Sequence, residues 1–224
     1  MTLFSFKFFG IPVIVDWSVI PLLVLLGFDS VIYLRKHFKY AEYHPKFKLT
    51  IVLLAVAMFL SIAAHEAGHG VIAYLFGHPL REAKFSFLIA YVAPTEGVDE
   101  IPALDFIFIT LAGPIVNLVL GLIASIWVKK LPETFVENSI QYFAYLNIYL
   151  GKLNLFPVIL FGVALDGGWV ALNILRVLGL SLETAYVVTT FLGTVFLGWY
   201  IFRVKIHGKR ILKYTNWEDR LETL

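Results

Sequence analysis

Two histidines four residues apart enclose a glutamate in the pentad His65-Glu66-Ala67-Gly68-His69. On an α-helix each residue advances about 100°, so positions four apart project from one face within about 40° and about 6 Å of each other. Both imidazoles can then reach one metal ion. Glu66, one step further round, can sit beside that ion without ligating it and take a proton from water that the ion has acidified. That is a hydrolytic arrangement, and its setting is apolar: between Leu49 and Ala64 only Thr50 and Ser61 carry a polar side chain. Imidazoles and a carboxylate at membrane depth are costly unless paired or bound to metal, so an intramembrane cluster marks a functional site. The plainer reading of the same residues is two core histidines beside a helix-end glutamate. Ala63, Ala64, Ala67, Gly68, Gly70 and Ala73 keep the neighbourhood small, as close approach of another helix or a substrate backbone requires. Ordinary packing of membrane helices leaves the same mark.

Composition agrees with a membrane setting. The chain is 59% hydrophobic and 15% charged, with mean hydropathy +0.82, outside the range of a domain with a solvated surface. A net charge of +2, with Lys and Arg dispersed, argues against nucleic acid as a partner. The absence of Cys removes disulfides, thiolate ligands and cysteine nucleophiles at once, so any metal must be held by His and carboxylate.

The elements that must position the pentad read as an α-helical polytopic membrane protein with about five to six transmembrane helices and a small membrane-associated β-sheet. Residues 1–224 are expected to form a single membrane-embedded domain. Leu3 to Val15 alternates around Gly10-Ile11-Pro12, with Phe4, Phe6 and Phe8 opposite Ser5 and Lys7, and predicts an amphipathic strand pair at the membrane surface. A signal peptide would need a basic start and a small-residue cleavage site, which this segment lacks. Spans are expected over 17–34, although Asp29 weakens its second half, then over 49–76, 106–128, 136–165 and 182–202. The fourth is interrupted by Gly151, Lys152, Asn154 and Pro157, and residues 167–180 are apolar but too short to cross, suiting an interfacial helix.

Two histidines need a third ligand. If the second, third and fourth spans alternate in direction, the pentad and Asp166 each fall late in parallel spans and meet at similar depth. Gly167-Gly168 lets the backbone bend beside the ion. A helix cap is the competing role for Asp166. Asp29 and Glu96 are weaker candidates, one in the first span and the other in a polar loop.

His65-Glu66-Ala67-Gly68-His69-Gly70, Leu111-Ala112-Gly113-Pro114-Ile115-Val116-Asn117, and Asn154 followed by Leu165-Asp166-Gly167-Gly168 occur in this order within hydrophobic segments. Together they resemble the site-2 protease family of intramembrane zinc metalloproteases, over about residues 8 to 180. The resemblance implies Zn2+ held by His65, His69 and Asp166, Glu66 as general base, and Asn154 binding or orienting substrate. It also implies an intramembrane zinc endopeptidase acting on transmembrane or membrane-associated protein substrates, multi-pass in the cell membrane. Asn154 and Asp166 are twelve residues apart where the family usually has eight, and its second Pro is missing; one extra helical turn between them would restore the face. Neither a PDZ nor a CBS domain accompanies these motifs.

A helical substrate must be unwound before its peptide bonds are reached, and the freed N–H and C=O groups need partners. Lys84 to Ala93, an apolar β-branched and aromatic run, could pair with residues 3–15 in a sheet whose free edge holds an extended peptide. An ordinary hairpin is the alternative. Asn117, Asn147 and Asn154 are candidates for a polar route for water, or else for interhelical hydrogen bonds. With five spans, one side carries 13 Lys and Arg and the other four, which makes the first side cytoplasmic. The resemblance implies the opposite, so orientation stays open. A catalytically idle scaffold that binds metal or client helices and a metal-ion transporter are the other function classes. Glu66 favours the protease, because a permeation site has no need of a base.

Overall fold

Ser61, His65, Glu66, Gly70 and Ala73 recur at helical spacing inside an apolar run, and they form the buried stripe of α2 (Phe47–Leu75). Its other faces expose Val52, Leu53, Leu60 and Val71, each more than half accessible. Such surface is unfavourable in water and neutral against lipid. In the computed structural model, which describes residues 2–37, 41–87, 90–131, 134–160 and 163–214, this helix is the central element. α1 (Val19–His37) precedes it; α3 (Ala103–Val128), α4 (Phe135–Asn154), α5 (Asp166–Val177) and α6 (Leu182–Tyr214) follow.

On length and composition, α2, α3 and residues 182–201 of α6 are apolar enough to cross a membrane. α1 does not break at Asp29, because the carboxylate is not left bare. Tyr142 Oη of α4 donates to it at 2.6 Å, tying the first helix to the fourth. α3 packs closely on α4 because both are small at the crossing. A Cβ on Gly121 would lie 2.6 Å from Ile148 Cγ1 and 2.9 Å from its backbone nitrogen.

Two expectations for the fourth span fail. The helix ends at Asn154 instead of continuing to 165, and the chain beyond it forms an antiparallel pair of β5 (Ile159–Leu160) and β6 (Val163–Ala164), with residues 161–162 outside the described set. Pro157 cannot continue the helical hydrogen-bond ladder, and the β-branched Val158, Ile159 and Val163 suit extended backbone. The residues in excess of the family spacing are therefore taken up by a hairpin, not by an added helical turn. The 167–180 helix begins one residue early, at Asp166, and α6 runs past the expected end at 202 to Tyr214.

The small sheet has the order β1 (Thr2–Phe8), β2 (Ile11–Asp16), β3 (Leu80–Phe85), β4 (Ala90–Pro94). Phe8 faces Ile11, leaving Phe9 and Gly10 as a two-residue turn, both with positive φ (48° and 82°), as a tight hairpin requires. β2 and β3 are parallel, pairing Val13 with Ala83, while β3 and β4 are antiparallel. The expected 84–93 strand is thus divided between two strands, with residues 88–89 outside the described set. Among the described residues β4 keeps a free edge, and it packs on α2, where a Cβ on Gly70 would meet Leu80 and Val92.

α2 ends in a left-handed turn at Gly77 (φ 86°), with His78 N–H returning to Ala73 O at 2.9 Å and Gly77 N–H to Tyr74 O at 3.0 Å. That turn delivers His78 between two carboxylates. Nδ1 meets Glu96 Oε2 at 2.6 Å and Nε2 meets Asp105 Oδ2 at 3.3 Å, joining the end of α2 to the β4–α3 connection and the first turn of α3. Burial opposes the imidazolium, but the hydrogen bonds and charges of Glu96 and Asp105 outweigh it and hold the pKa above the ordinary histidine value. A raised folded-state pKa means stabilisation that is complete below the unfolded value and is lost as pH rises through the folded one. Both carboxylates are about a third exposed, so each pair contributes on the order of 1 kcal/mol or less. Thermal unfolding of His78→Gln against wild type in detergent should show a difference largest below about pH 6 and shrinking steadily as the solution becomes alkaline. A difference independent of pH would show that His78 acts through packing alone.

Candidate metal centre

The helical spacing of His65 and His69 brings their Nε2 atoms to 3.1 Å, and each ring is aimed by its other nitrogen. His69 Nδ1 lies 2.8 Å from the backbone carbonyl of Ile109 on α3. A carbonyl only accepts, so Nδ1 carries the proton and Nε2 presents a lone pair. His65 Nδ1 lies 2.6 Å from Asn117 Oδ1, also on α3. The same tautomer follows if that atom is the amide oxygen. The ring positions depend on the absence of a side chain at Gly113: a Cβ there would fall 2.7 Å from His65 Nε2 and against His69 Nε2. α3 therefore contributes both the acceptors that orient the rings and the gap into which they point.

Asp166 reaches the same place from α5. Its Oδ2 is 3.1 Å from His65 Nε2 and its Oδ1 is 3.6 Å from His69 Nε2. The helix is capped at Leu165 with no side-chain cap, so the Asp166 carboxylate is not used as a cap. The approach requires Gly167: a Cβ there would collide with the Leu155 and Phe156 carbonyls, over which α5 starts. Hydrogen bonds from Leu165 N to Val158 O and from Gly168 N to Leu165 O close this crossover. Asn154, the last residue of α4, places Nδ2 3.5 Å from His65 Nε2. The hairpin thus returns the chain so that Asn154 and Asp166 flank one imidazole despite their separation in sequence.

Glu66 is buried beside this group, and the ligand-capable atoms of His65, Glu66 and His69 lie within 4.8 Å of one another. Its carboxylate accepts the backbone N–H of Val92 in β4. Of the two carboxylates, Asp166 is the one in contact with both Nε2 atoms, while Glu66 is held to the side by the strand. Two lone-pair nitrogens and a carboxylate converge with Asn154 Nδ2 the one donor in contact among the described residues. Such a donor set repels itself unless a cation lies between its members, and nitrogen-plus-carboxylate ligation fits a divalent transition metal.

Sequence reasoning missed the orienting role of Ile109 and the space at Gly113. Of the two roles it left open for Asn117 and Asn147, a route for water or interhelical hydrogen bonds, the second holds: they are 1% and 0% exposed and bonded to each other at 3.1 Å. Asp29 and Glu96, the weaker ligand candidates, are engaged with Tyr142 and His78. Gly113→Ala should abolish the pocket between the imidazoles. Titration with Co2+, followed by its visible absorption, should give a histidine-type spectrum for wild type and none for the variant. Equal binding by both would show that the metal lies elsewhere.

Residues 53–133 match peptidase family M50. The chain is 27% identical over 139 residues to a zinc metalloprotease of Methanocaldococcus jannaschii, covering 62% of this chain and 37% of that protein. It is 31% identical over 118 residues to a protein of Synechocystis sp. provisionally named a zinc metalloprotease, covering 52% of this chain and 30% of that one. The matching part thus spans about a third of the length of these curated relatives. The fold is similar to that of the site-2 protease from Methanocaldococcus jannaschii, with TM-score 0.58 at 21% identity over 93% of this chain and 88% of the other. The ordered motifs, the match of residues 53–133 and the shared fold agree, and in all three the chain is similar to the site-2 protease family of membrane metallopeptidases.

Proposed function

We propose that this chain is an intramembrane zinc endopeptidase that hydrolyses peptide bonds within or near transmembrane segments of membrane-protein substrates. The observation that carries this reading is the convergence of His65, His69 and Asp166 with Glu66 buried alongside. His65, His69 and Asp166 would hold the zinc. When bound, zinc acidifies a water molecule and polarises a scissile carbonyl.

Glu66 takes up the proton released from the attacking water and passes it to the departing amide nitrogen, so that the substrate leaves as an amine and a carboxylic acid. The Val92 N–H holds the carboxylate in place for both transfers. Asn154 offers an amide donor near His65 Nε2, where it can fix a substrate carbonyl. A metal transporter has no use for such a base held beside its ligands, which favours the hydrolase.

The free edge of β4 gives the substrate a place to be extended. Val92 pairs with Ala83 across the sheet and directs its N–H to Glu66 instead. A peptide unwound from a membrane helix and laid along this edge would recover backbone hydrogen bonds as its scissile bond came level with Glu66. The exposed apolar faces of α2, α3 and α6 suit a multi-pass protein of the cell membrane, surrounded by lipid and meeting its substrates there.

Replacing Glu66 with Gln conserves volume and removes the base. Zinc content of the purified variant should match wild type, while cleavage of a model transmembrane substrate should fall by about a hundredfold or more. Cleavage at the wild-type rate would remove Glu66 from the mechanism, and a loss of zinc would make it a ligand.

A further inference from the structure

The tautomer of His65 has to be set by something, because only a bare Nε2 can ligate metal, and its Nδ1 partner is an amide that could face either way. Asn117 turned the other way would offer an N–H to Nδ1, which would move the ring proton to Nε2. The hydrogen bonds around Asn117 decide between these states.

Asn147 Nδ2 lies 3.0 Å from the Phe143 backbone carbonyl, one turn back on α4. That carbonyl accepts and cannot donate, so Asn147 must turn its amide nitrogen toward it and its oxygen Oδ1 away. Asn147 Oδ1 then faces Asn117 Nδ2 at 3.1 Å, and it also accepts the Ser61 hydroxyl. Asn117 Nδ2 in turn donates to Ser61 Oγ at 3.0 Å. With its nitrogen occupied by two acceptors, Asn117 has only Oδ1 left for His65 Nδ1, at 2.6 Å. Ser61, His65, Asn117 and Asn147 are all 5% exposed or less, so water cannot substitute for any member or permit a flip without leaving a buried polar atom unpaired.

We propose that Asn117 is the positioning residue of the metal centre, and that Ser61 and Asn147 form with it a relay that carries hydrogen-bond polarity from the Phe143 carbonyl to His65. The relay places a proton on Nδ1 before any metal arrives, so that Nε2, which faces Asp166 Oδ2 at 3.1 Å, is the nitrogen left for metal to take. His69 needs no relay, since the Ile109 carbonyl fixes its tautomer directly. The two ligands of one helix are thus set by two different helices, His69 by α3 alone and His65 by α4 acting through α3 and Ser61.

This proposal rests on the metal-centre reading, and the test separates the two. In metal-free, detergent-solubilised protein with 15N-labelled histidine, Nδ1 of His65 should carry a proton. Asn117→Leu should populate the Nε2-protonated form and weaken zinc binding, measured by chelator competition, by about 10- to 100-fold. Asn117→Asp keeps an acceptor oxygen for Nδ1–H and should hold the wild-type tautomer. Asn147→Leu, which does not touch His65, should shift both readouts in the same direction by less. A His65 whose Nδ1 carries no proton in wild type would overturn the relay, and that measurement requires no variant to fold. So would a folded Asn117→Leu protein that binds zinc as tightly as wild type. Failure of the wild type to bind zinc would defeat the metal-centre reading instead, and the tautomer read in the same sample would still decide the relay.

Discussion

A polar group carried into a bundle of apolar helices has no water to turn to, so its partner must be supplied by a neighbouring element. α2 brings Ser61, His65, Glu66 and His69 inside, and the rest of the molecule is arranged to answer them. α3 supplies the Ile109 carbonyl and Asn117, α4 supplies Asn147, β4 supplies the Val92 N–H and α5 supplies Asp166. Lipid tails are as apolar as leucine, so the outward faces of α2 and α3 do little to choose which sides of the helices meet. The polar partners and the small residues between them make that choice.

Small residues make such closure possible at short range. Gly113 lets two imidazoles approach the backbone of α3, and Gly167 lets the start of α5 pass over the Leu155 and Phe156 carbonyls. Each glycine therefore supports the chemistry by allowing a polar contact that a methyl group would prevent. The sheet is joined to the same centre through Val92, which makes the strand edge and the proposed base one structural unit. Outside the bundle, His78 performs a comparable closure in a wetter setting, pinning the β4–α3 connection between Glu96 and Asp105.

Much of the site was legible in order and spacing. Local periodicity placed His65 and His69 on one face, and the apolar run around them declared the membrane. The errors fell where a local rule met a nonlocal demand. Residues 155–165 were expected to extend the fourth helix, yet Pro157 and the β-branched residues after it favour a hairpin. Asn117 and Asn147 stood open between a path for water and interhelical hydrogen bonds, because an isolated asparagine in an apolar segment reads the same whether it faces a channel or another asparagine. Asp29 suggested a weak helix until Tyr142, 113 residues away, supplied its hydrogen bond.

The sequence by itself determined the apolar helices around the site, the two-histidine face with its glutamate, and the family that the motifs resemble, because each depends on residues within one or two helical turns. Only the tertiary structure decided that Asp166 and Asn154 flank one imidazole, that β4 presents its edge to Glu66, and that Asn117 orients His65. Those relations depend on how separate helices cross and on which way each buried amide faces. A buried donor or acceptor finds its partner by position in space, whatever its distance along the chain.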